Sequence, residues 1–329
     1  MRALRVRHLA QPREALELVR EEPVPTPAEG QLVVRVRACP VNFPDVLMCA
    51  GEYQVRPEPP FTPGVELCGE VVETAAGVDG LSPGDRVIGA GAVPHGGFAE
   101  YALMDAARTF HAPPELSDAE AASLFIGYQT GWFGLHRRAG LRPGETLLVH
   151  AASGGVGSAA VQLGKAAGAT VVGVVGGADK ARVARELGAD VVVDRHTEDF
   201  VGVVKDLTSG AGADVVYDPV GGEAYERSTK CVAFEGRILV IGFASGRIPT
   251  PGLNHALIKN YSIVGLHWGL YNERDPRAVR EAHRDLCRMA QEGKISPLVS
   301  ERVTLDELTE AAQRVADGHT VGRVVYTNE

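Results

Sequence analysis

The chain has 329 residues, of which 45% are hydrophobic and 23% charged, a composition typical of a soluble globular protein with room for two domains. Its formal net charge of −9 argues against a nucleic-acid or anionic-membrane surface, and no apolar run is long enough to span a bilayer. The five cysteines are scattered without a C-x-x-C pair. This predicts no disulfide framework, no structural zinc and a reducing cytoplasm as the location.

The first segment of the chain, residues 1–118, is rich in glycine, proline and valine, with short apolar runs separated by turns. Strands are expected at 32–36, 69–72 and 86–89, besides one near the start of the chain. This pattern predicts an all-β domain built as a partly open barrel.

Residues 119–265 change to an alternation of apolar runs with helical segments. The expected strands are 146–150, 170–175, 191–193, 215–217, 238–241 and 262–264. Alternating βα units predict a parallel, doubly wound sheet. The remainder, 266–329, contains helical stretches at 276–293 and 305–316 and a strand at 323–326, which are expected to return to the first domain.

A glycine-rich turn lies between the expected strand 146–150 and the next helix. The turn matches the dinucleotide fingerprint G-x-G-x-x-G with Ala152 in the first glycine position. Glycines allow the backbone to approach a pyrophosphate, and the following helix N-terminus offers N–H groups and a positive dipole end. The predicted contacts to the cofactor are therefore Ser153, Gly154, Gly155, Val156 and Gly157.

The end of the second expected strand indicates which dinucleotide binds. A site for NAD would place a carboxylate there for the ribose 2′-hydroxyl, whereas this strand ends in Gly176 and Gly177. Lys180 and Arg182 follow within a turn, and Arg195 follows the third strand. Cations without a nearby carboxylate suit a 2′-phosphate, which favours NADPH, with Lys180 and Arg195 as its ligands.

Two acidic residues near strand ends have competing interpretations. Asp179 is predicted to cap a helix rather than bind a ribose, although the second role would favour NADH. Asp218 is predicted to bond the backbone, while Val220 after it touches the cofactor. For Lys180 and Arg182 the alternative role is an exposed helix face.

Several segments together resemble the medium-chain dehydrogenase/reductase superfamily, specifically its zinc-free quinone oxidoreductase branch. They are Val41-Asn42-Phe43-Pro44-Asp45, Pro63-Gly64-Val65-Glu66-Leu67-Cys68-Gly69, Gly84-Asp85-Arg86-Val87, Gly96-Gly97-Phe98-Ala99-Glu100-Tyr101, the turn 151–157, Lys180, Gly188-Ala189-Asp190 and Tyr217-Asp218-Pro219-Val220-Gly221. The resemblance implies a GroES-like catalytic domain over 1–118, completed by 266–329, and a Rossmann domain over 119–265. It also implies an active site in the cleft between the domains, and a homodimer.

The resemblance also indicates whether the chain can hold a catalytic zinc ion. Zinc-dependent members of the superfamily hold their catalytic zinc with a cysteine, a histidine and a second cysteine. The matching positions here are Asn42, Val65 and Ile126. Valine and isoleucine have no donor atoms, and an amide replaces thiolate poorly, so no metal is expected.

Further site residues follow from the resemblance. Asn42, Asp45 and Tyr53 are expected at the catalytic end, with the Asn42 amide or the Tyr53 hydroxyl donating to a substrate oxygen. The alternatives are a capping or turn role for Asn42 and a loop aromatic for Tyr53. Cofactor contacts are expected from Thr130, Gly242, Phe243, Val264 and Gly265. The distinctive run 265–271 suggests His267 and Trp268 as substrate-pocket residues, with interdomain packing as the alternative.

These expectations favour a metal-free hydride transfer from NADPH to a quinone or similar conjugated carbonyl. An NADPH-dependent reductase of enone or enoyl-thioester double bonds would need the same hydride delivery, and no residue separates the two. A protein that binds NADPH as a sensor without turnover is a third hypothesis. A small-molecule substrate is expected in the first two cases.

Overall fold

The computed structural model describes residues 1–328, and its first 132 residues form six strands and three helices. Strands β3 to β6 pair in sequence order, and β3 also pairs with β6, so the four strands close on themselves. A separate antiparallel pair is formed by β1 and β2. In chain order the elements are β1 Ala3–Val6, α1 Pro12–Ala15, β2 Leu16–Val19, β3 Gln31–Pro40, α2 Phe43–Ala50, β4 Glu66–Thr74, β5 Arg86–Gly91, β6 Tyr101–His111 and α3 Asp118–Trp132.

A six-stranded parallel sheet follows, in the strand order β12-β11-β10-β7-β8-β9. A π-helix, Phe133–Arg138, continues α3 directly. The elements are β7 Thr146–His150, α4 Gly155–Ala166, β8 Thr170–Val175, α5 Ala178–Glu186, β9 Val191–Asp194, α6 Phe200–Leu207, β10 Ala213–Asp218, α7 Gly222–Ser228, β11 Val232–Val240, α8 Leu253–Lys259, β12 Ser262–Gly265, a 3-10 turn Trp268–Leu270, α9 Tyr271–Arg274 and α10 Pro276–Gln291. The order reverses between β10 and β7, which is the switch point of a doubly wound fold.

The last elements rejoin the first sheet. They are β13 Val299–Val303, α11 Leu308–Ala316 and β14 Arg323–Thr327. Strand β14 pairs with β3 and with β13. The predicted α/β fold, a partly open barrel domain plus a doubly wound Rossmann domain, is therefore confirmed. No helix within residues 1–328 has both the length and the apolar content that a membrane crossing requires.

The chain divides into two compact units, which we call unit 1 (residues 1–126 and the chain from 297 onward) and unit 2 (residues 127–296). These limits differ from the predicted 1–118 with 266–329 and 119–265. The segment 266–296, including α10, belongs to unit 2 because its own contacts lie there. Gln162 of α4, for example, donates to the Ser296 carbonyl at 2.9 Å and accepts from the Ser296 amide at 2.6 Å.

Candidate active site

The glycine-rich turn after β7 has the geometry that a dinucleotide needs. Ala151 adopts a positive φ of 50°, and α4 begins at Gly155 with Gly154 as its N-cap. A Cβ atom at Gly157 would overlap the carbonyl oxygen of Ala151, so only glycine permits this close approach of helix and strand. The start of an α-helix carries N–H groups without intrahelical acceptors, so the N-terminus of α4 can receive an anion.

A cationic cluster lies at the carboxyl ends of β8 and β9. The position that a Cβ would take at Gly176 is 3.0 Å from Arg195 Nε and 3.2 Å from its Nη2. His196 Cε1 is 3.2 Å from the same point. Burial and, to a smaller extent, the charge of Arg195 lower the pKa of Lys180, which follows in the first turn of α5. Gly176 thus leaves room for a guanidinium where an NAD site would carry a carboxylate.

Three nearby charged residues have structural roles. The Asp194 carboxylate accepts from the amides of Gly177 and His196 at 2.9 and 3.1 Å, and these bonds lower its pKa. Because α5 begins at Ala178, Asp179 lies in the first helical turn, and the expectation that it is the N-cap is wrong. Arg182 pairs with Glu186 one turn along the same helix at 2.7 Å.

The loops after β10 and β11 lie together at the same edge of the sheet. Asp218 Oδ1 accepts from the amides of Val220 and Gly221, both at 2.9 Å, which confirms its predicted backbone role. The carbonyl of Val220 accepts from Ser245 at 3.0 Å, and Phe243 lies against Gly221. The predicted cofactor residues Val220, Gly242 and Phe243 therefore occupy adjoining loops.

The end of β12 and the segment after it are bonded to residues on either side of Thr130. Arg138 Nε of the π-helix donates to the carbonyl of Gly265 at 3.2 Å. The indole N–H of Trp268 donates to Gln129 Oε1 at 3.3 Å. Trp268 is only 8% exposed and thus offers little open aromatic surface, whereas His267 is exposed.

In unit 1 a single buried carboxylate organises the start of α2. Asp45 accepts from the amide of Asn42 at 2.9 Å and from the amides of Gly64 and Val65 at 2.8 and 3.0 Å. Burial raises the pKa of Asp45 to about 7, against the lowering effect of these three N–H groups. Asp45 thereby ties the segment before β4 to the first turn of α2.

A second buried polar group, which we call the Glu66 cluster, consists of Asn42, Glu66, Arg323 and the backbone N–H of Ile126. Glu66 Oε1 accepts from Asn42 Nδ2 and pairs with Arg323 Nη2, both at 3.0 Å, while its Oε2 accepts from Ile126 at 2.6 Å. Arg323 Nη1 donates to Asn42 Oδ1. Burial raises the pKa of Glu66, and the charge of Arg323 opposes that rise.

The Asn42 amide is already engaged inside the protein. Its Nδ2 donates to the Pro40 carbonyl at 3.2 Å as well as to Glu66, which uses both amide hydrogens. Donation to a substrate oxygen, as expected from the sequence, would require one of these bonds to break. Tyr53 is half-buried and packs against the hydrophobic core of unit 1, and burial together with the charge of Asp45 raises its pKa.

The residues present do not fit a catalytic zinc. The three matching positions contribute an engaged amide at Asn42 and apolar side chains at Val65 and Ile126. Both oxygens of the neighbouring Glu66 already have partners. Among residues 1–328 no group of three histidine, cysteine or acidic side chains is placed to hold a metal ion.

Comparison with known proteins agrees with both units. Residues 28–114 match the alcohol dehydrogenase GroES-like domain, and residues 155–284 match the zinc-binding dehydrogenase family. A quinone oxidoreductase-like protein 2 homolog from Nematostella vectensis is 40% identical over 302 residues, which cover 91% of this chain and 82% of that protein. The chain belongs to the quinone oxidoreductase branch of the medium-chain dehydrogenases/reductases.

Solved structures support the assignment to this oxidoreductase family. A probable oxidoreductase from Mycobacterium abscessus is 37% identical, with a TM-score of 0.89 and coverage of 100% of this chain and 99% of that one. The quinone oxidoreductase of Escherichia coli, solved in complex with NADPH, is 29% identical, with a TM-score of 0.92 and complete coverage of both chains. The predicted family is thereby confirmed, and this chain is an oxidoreductase.

Three residues of this oxidoreductase were absent from the sequence-based site: Arg323, Gln129 and His196. A charged Glu66 inside the apolar run 63–69 was a signal that a buried partner exists, but nothing in the sequence identified Arg323, 257 positions away, as that partner. Gln129 stands beside Thr130 in a buried helix, where a polar side chain is unusual.

Proposed function

We propose that this protein is an NADPH-dependent quinone oxidoreductase that works without a metal. The observation that carries the proposal is the arrangement around Gly176, where the Arg195 guanidinium lies in the place of the carboxylate of an NAD site and Lys180 follows in the first turn of α5. Two adjacent cations repel each other, and a 2′-phosphate relieves that repulsion. NADPH would supply the hydride, while the protein supplies orientation and hydrogen bonds.

The turn 153–157 would hold the pyrophosphate, as argued above from the room at Gly157. Thr130, with Val264 and Gly265 at the end of β12, would contact the nicotinamide. Val220, Gly242 and Phe243 would contact the part of the dinucleotide between the pyrophosphate and the nicotinamide. We propose Tyr53 as the donor to the substrate oxygen. Asp45 and Asn42 are proposed as positioning residues, because their polar atoms are already bonded within unit 1.

The acceptor is proposed to be a quinone because a conjugated carbonyl needs no Lewis acid to accept hydride. The test is steady-state oxidation of NADPH in the presence of a chelator, with an ortho-quinone, a para-quinone, an enone and crotonyl-CoA, and NADH in parallel. Chelator-resistant turnover of a quinone with preference for NADPH is the expected result. Turnover of the enone or thioester alone would reassign the protein to the double-bond reductases, and tight NADPH binding without turnover would indicate a sensor.

We also propose a homodimer in the cytoplasm, joined through unit 2. Strand β12 is the last strand of its sheet, and α8 before it exposes Leu253, Leu257 and Ile258 at 71–77%. Phe234, 70% exposed, lies beside them because Glu235 donates to the Asn260 carbonyl at 2.9 Å. An apolar patch next to an open strand edge is suited to self-association about a twofold axis.

Sedimentation velocity at micromolar concentration should give the mass of a dimer, and Leu257→Glu should shift it to that of a monomer. Leu207→Glu, on α6 and 42% exposed, is the matched control and should leave the dimer intact. A monomeric wild-type protein would contradict the proposal.

A further inference from the structure

The imidazole of His196 lies beside the Arg195 guanidinium at the end of β8. Its nearest atom to the point that a Cβ at Gly176 would take is Cε1, at 3.2 Å, while Arg195 Nε and Nη2 are 3.0 and 3.2 Å from that point. Cε1 is bonded to both ring nitrogens, so the polar edge of the imidazole faces this point. Both side chains are exposed, and a ligand can therefore reach them from solvent.

The two ring nitrogens of His196 have different surroundings. Nδ1 is 3.8 Å from Asp194 Oδ1, which also accepts from the backbone amides of Gly177 and His196. Within residues 1–328, Nε2 has no hydrogen-bond partner. The His196 side chain is 59% exposed, so Nε2 can meet an acceptor that arrives from outside the chain.

The neighbouring Asp194 determines what Nε2 can offer to a ligand. Two backbone N–H groups, and then the charges of His196 and Arg195, lower the pKa of Asp194, which is therefore a carboxylate at neutral pH. A carboxylate beside Nδ1 favours the tautomer with its hydrogen on Nδ1. In the neutral ring Nε2 then carries a lone pair, which repels a phosphate oxygen. In the protonated ring Nε2 is an N–H donor.

Histidine is the residue type at this place whose charge ordinarily changes near neutral pH. The other charged groups of the two segments that meet here are Asp194, Arg195 and Glu198 at and after the end of β9, and Asp179 and Lys180 in the first turn of α5. Burial and the charge of Arg195 lower the pKa of Lys180. A loss of charge from Lys180 at higher pH would persist in a variant without His196, so the two effects can be separated by mutation.

We propose that His196 in its protonated form donates a hydrogen bond from Nε2 to the 2′-phosphate of NADPH and thereby makes the cofactor preference depend on pH. Arg195 would supply a permanent charge, and His196 would add a second one as the pH falls. This inference rests on the proposed function, since NADH has no phosphate at this position. The preference for NADPH over NADH is expected to increase from about pH 8 to about pH 6.5.

The test measures how two stable fragments of the cofactors bind to the full-length protein. 2′-Phospho-ADP-ribose and ADP-ribose differ only in the phosphate, and their binding requires no turnover. Calorimetric affinities for both are compared at the two pH values for the wild type, His196→Gln and His196→Lys. Glutamine keeps a donor but has no charge to gain, whereas lysine keeps a charge throughout. His111→Gln, which replaces an exposed histidine at the end of β6 in unit 1, is the matched control.

In the wild-type protein the ratio of the two affinities should be about three- to tenfold higher at the lower pH. His196→Gln should keep the lower ratio at both pH values, and His196→Lys should keep the higher one. His111→Gln should behave like the wild type. A phosphate monoester has a second pKa of about 6 and gains negative charge as the pH rises, so its own titration would change the ratio in the opposite direction.

The inference is overturned if the wild-type ratio is the same at both pH values, or if His196→Gln retains the wild-type pH dependence. An equal loss of both affinities in His196→Gln would also contradict it, because His196 would then support the loop and not contact the phosphate. Failure of the proposed function is distinguishable, because the wild-type protein would then show no preference for 2′-phospho-ADP-ribose at either pH.

Discussion

Replacing Arg195 with alanine is expected to lower kcat/KM for NADPH about 10- to 100-fold, while kcat/KM for NADH stays within about threefold. The two cofactors differ only in the 2′-phosphate, and the Arg195 guanidinium lies over Gly176, where that phosphate would bind. Lys180 would remain as one cation, so the preference for NADPH should weaken rather than reverse. Steady-state kinetics with both cofactors against one quinone measure the effect.

The matched control is Arg185→Ala, which removes an equivalent exposed charge from the last turn of α5, away from Gly176. This variant should leave kcat/KM for both NADPH and NADH unchanged. If Arg195→Ala lowers kcat/KM equally for NADPH and for NADH, Arg195 supports the fold and does not bind the 2′-phosphate. A loss for NADPH that does not diminish with added salt would also argue against a charge interaction.

Replacing Arg323 with methionine is expected to destabilise unit 1 by about 3–5 kcal/mol. Glu66 is 0% exposed and Arg323 only 5%, so removing the guanidinium leaves a carboxylate in the interior without its counter-charge. The Asn42 carbonyl loses its donor at the same time. The double variant Glu66→Gln/Arg323→Met should recover part of the loss because the interior charge is then gone.

The two tryptophans allow the units to be followed separately. Both Trp132 and Trp268 lie in unit 2, so tryptophan fluorescence reports that unit, whereas hydrogen–deuterium exchange of peptides from β3, β4 and β14 reports unit 1. Arg323→Met should accelerate exchange in those strands well before fluorescence changes. Arg13→Ala is the control, because Arg13 and Glu310 form an ion pair on the surface of the same unit, where little effect is expected. Wild-type exchange in Arg323→Met would refute the structural role of the Glu66 cluster.

Unit 2 could be predicted closely from the sequence because its signals are local. Strands 146–150 and 170–175 were predicted to the residue, since short apolar runs bounded by glycines have few alternative structures. The turn 152–157 carries its own steric requirement, and Asp218 has its backbone partners two and three residues away. Each of these features depends on a few neighbouring residues.

The polar interior of unit 1 could not be predicted in the same way. The sequence indicates that Asn42, Val65 and Ile126 cannot bind zinc, but not what fills the space between them. The answer depends on Arg323, which reaches Glu66 only because β14 pairs with β3. The place of the segment 266–296 in unit 2 was missed for a similar reason, since it is seen only in contacts between distant positions, such as the bonds between Gln162 and Ser296.

The crowding around Gly176 restricts how the proposed preference for NADPH could change during evolution. Any side chain at 176 would have to share space with Arg195 and His196. An acidic residue introduced there first would form an ion pair with Arg195 and be unavailable to a ribose. A path from NADPH to NADH therefore has an order: Arg195 must be lost before a carboxylate at 176 brings any advantage, and the intermediate sequence would bind both cofactors weakly.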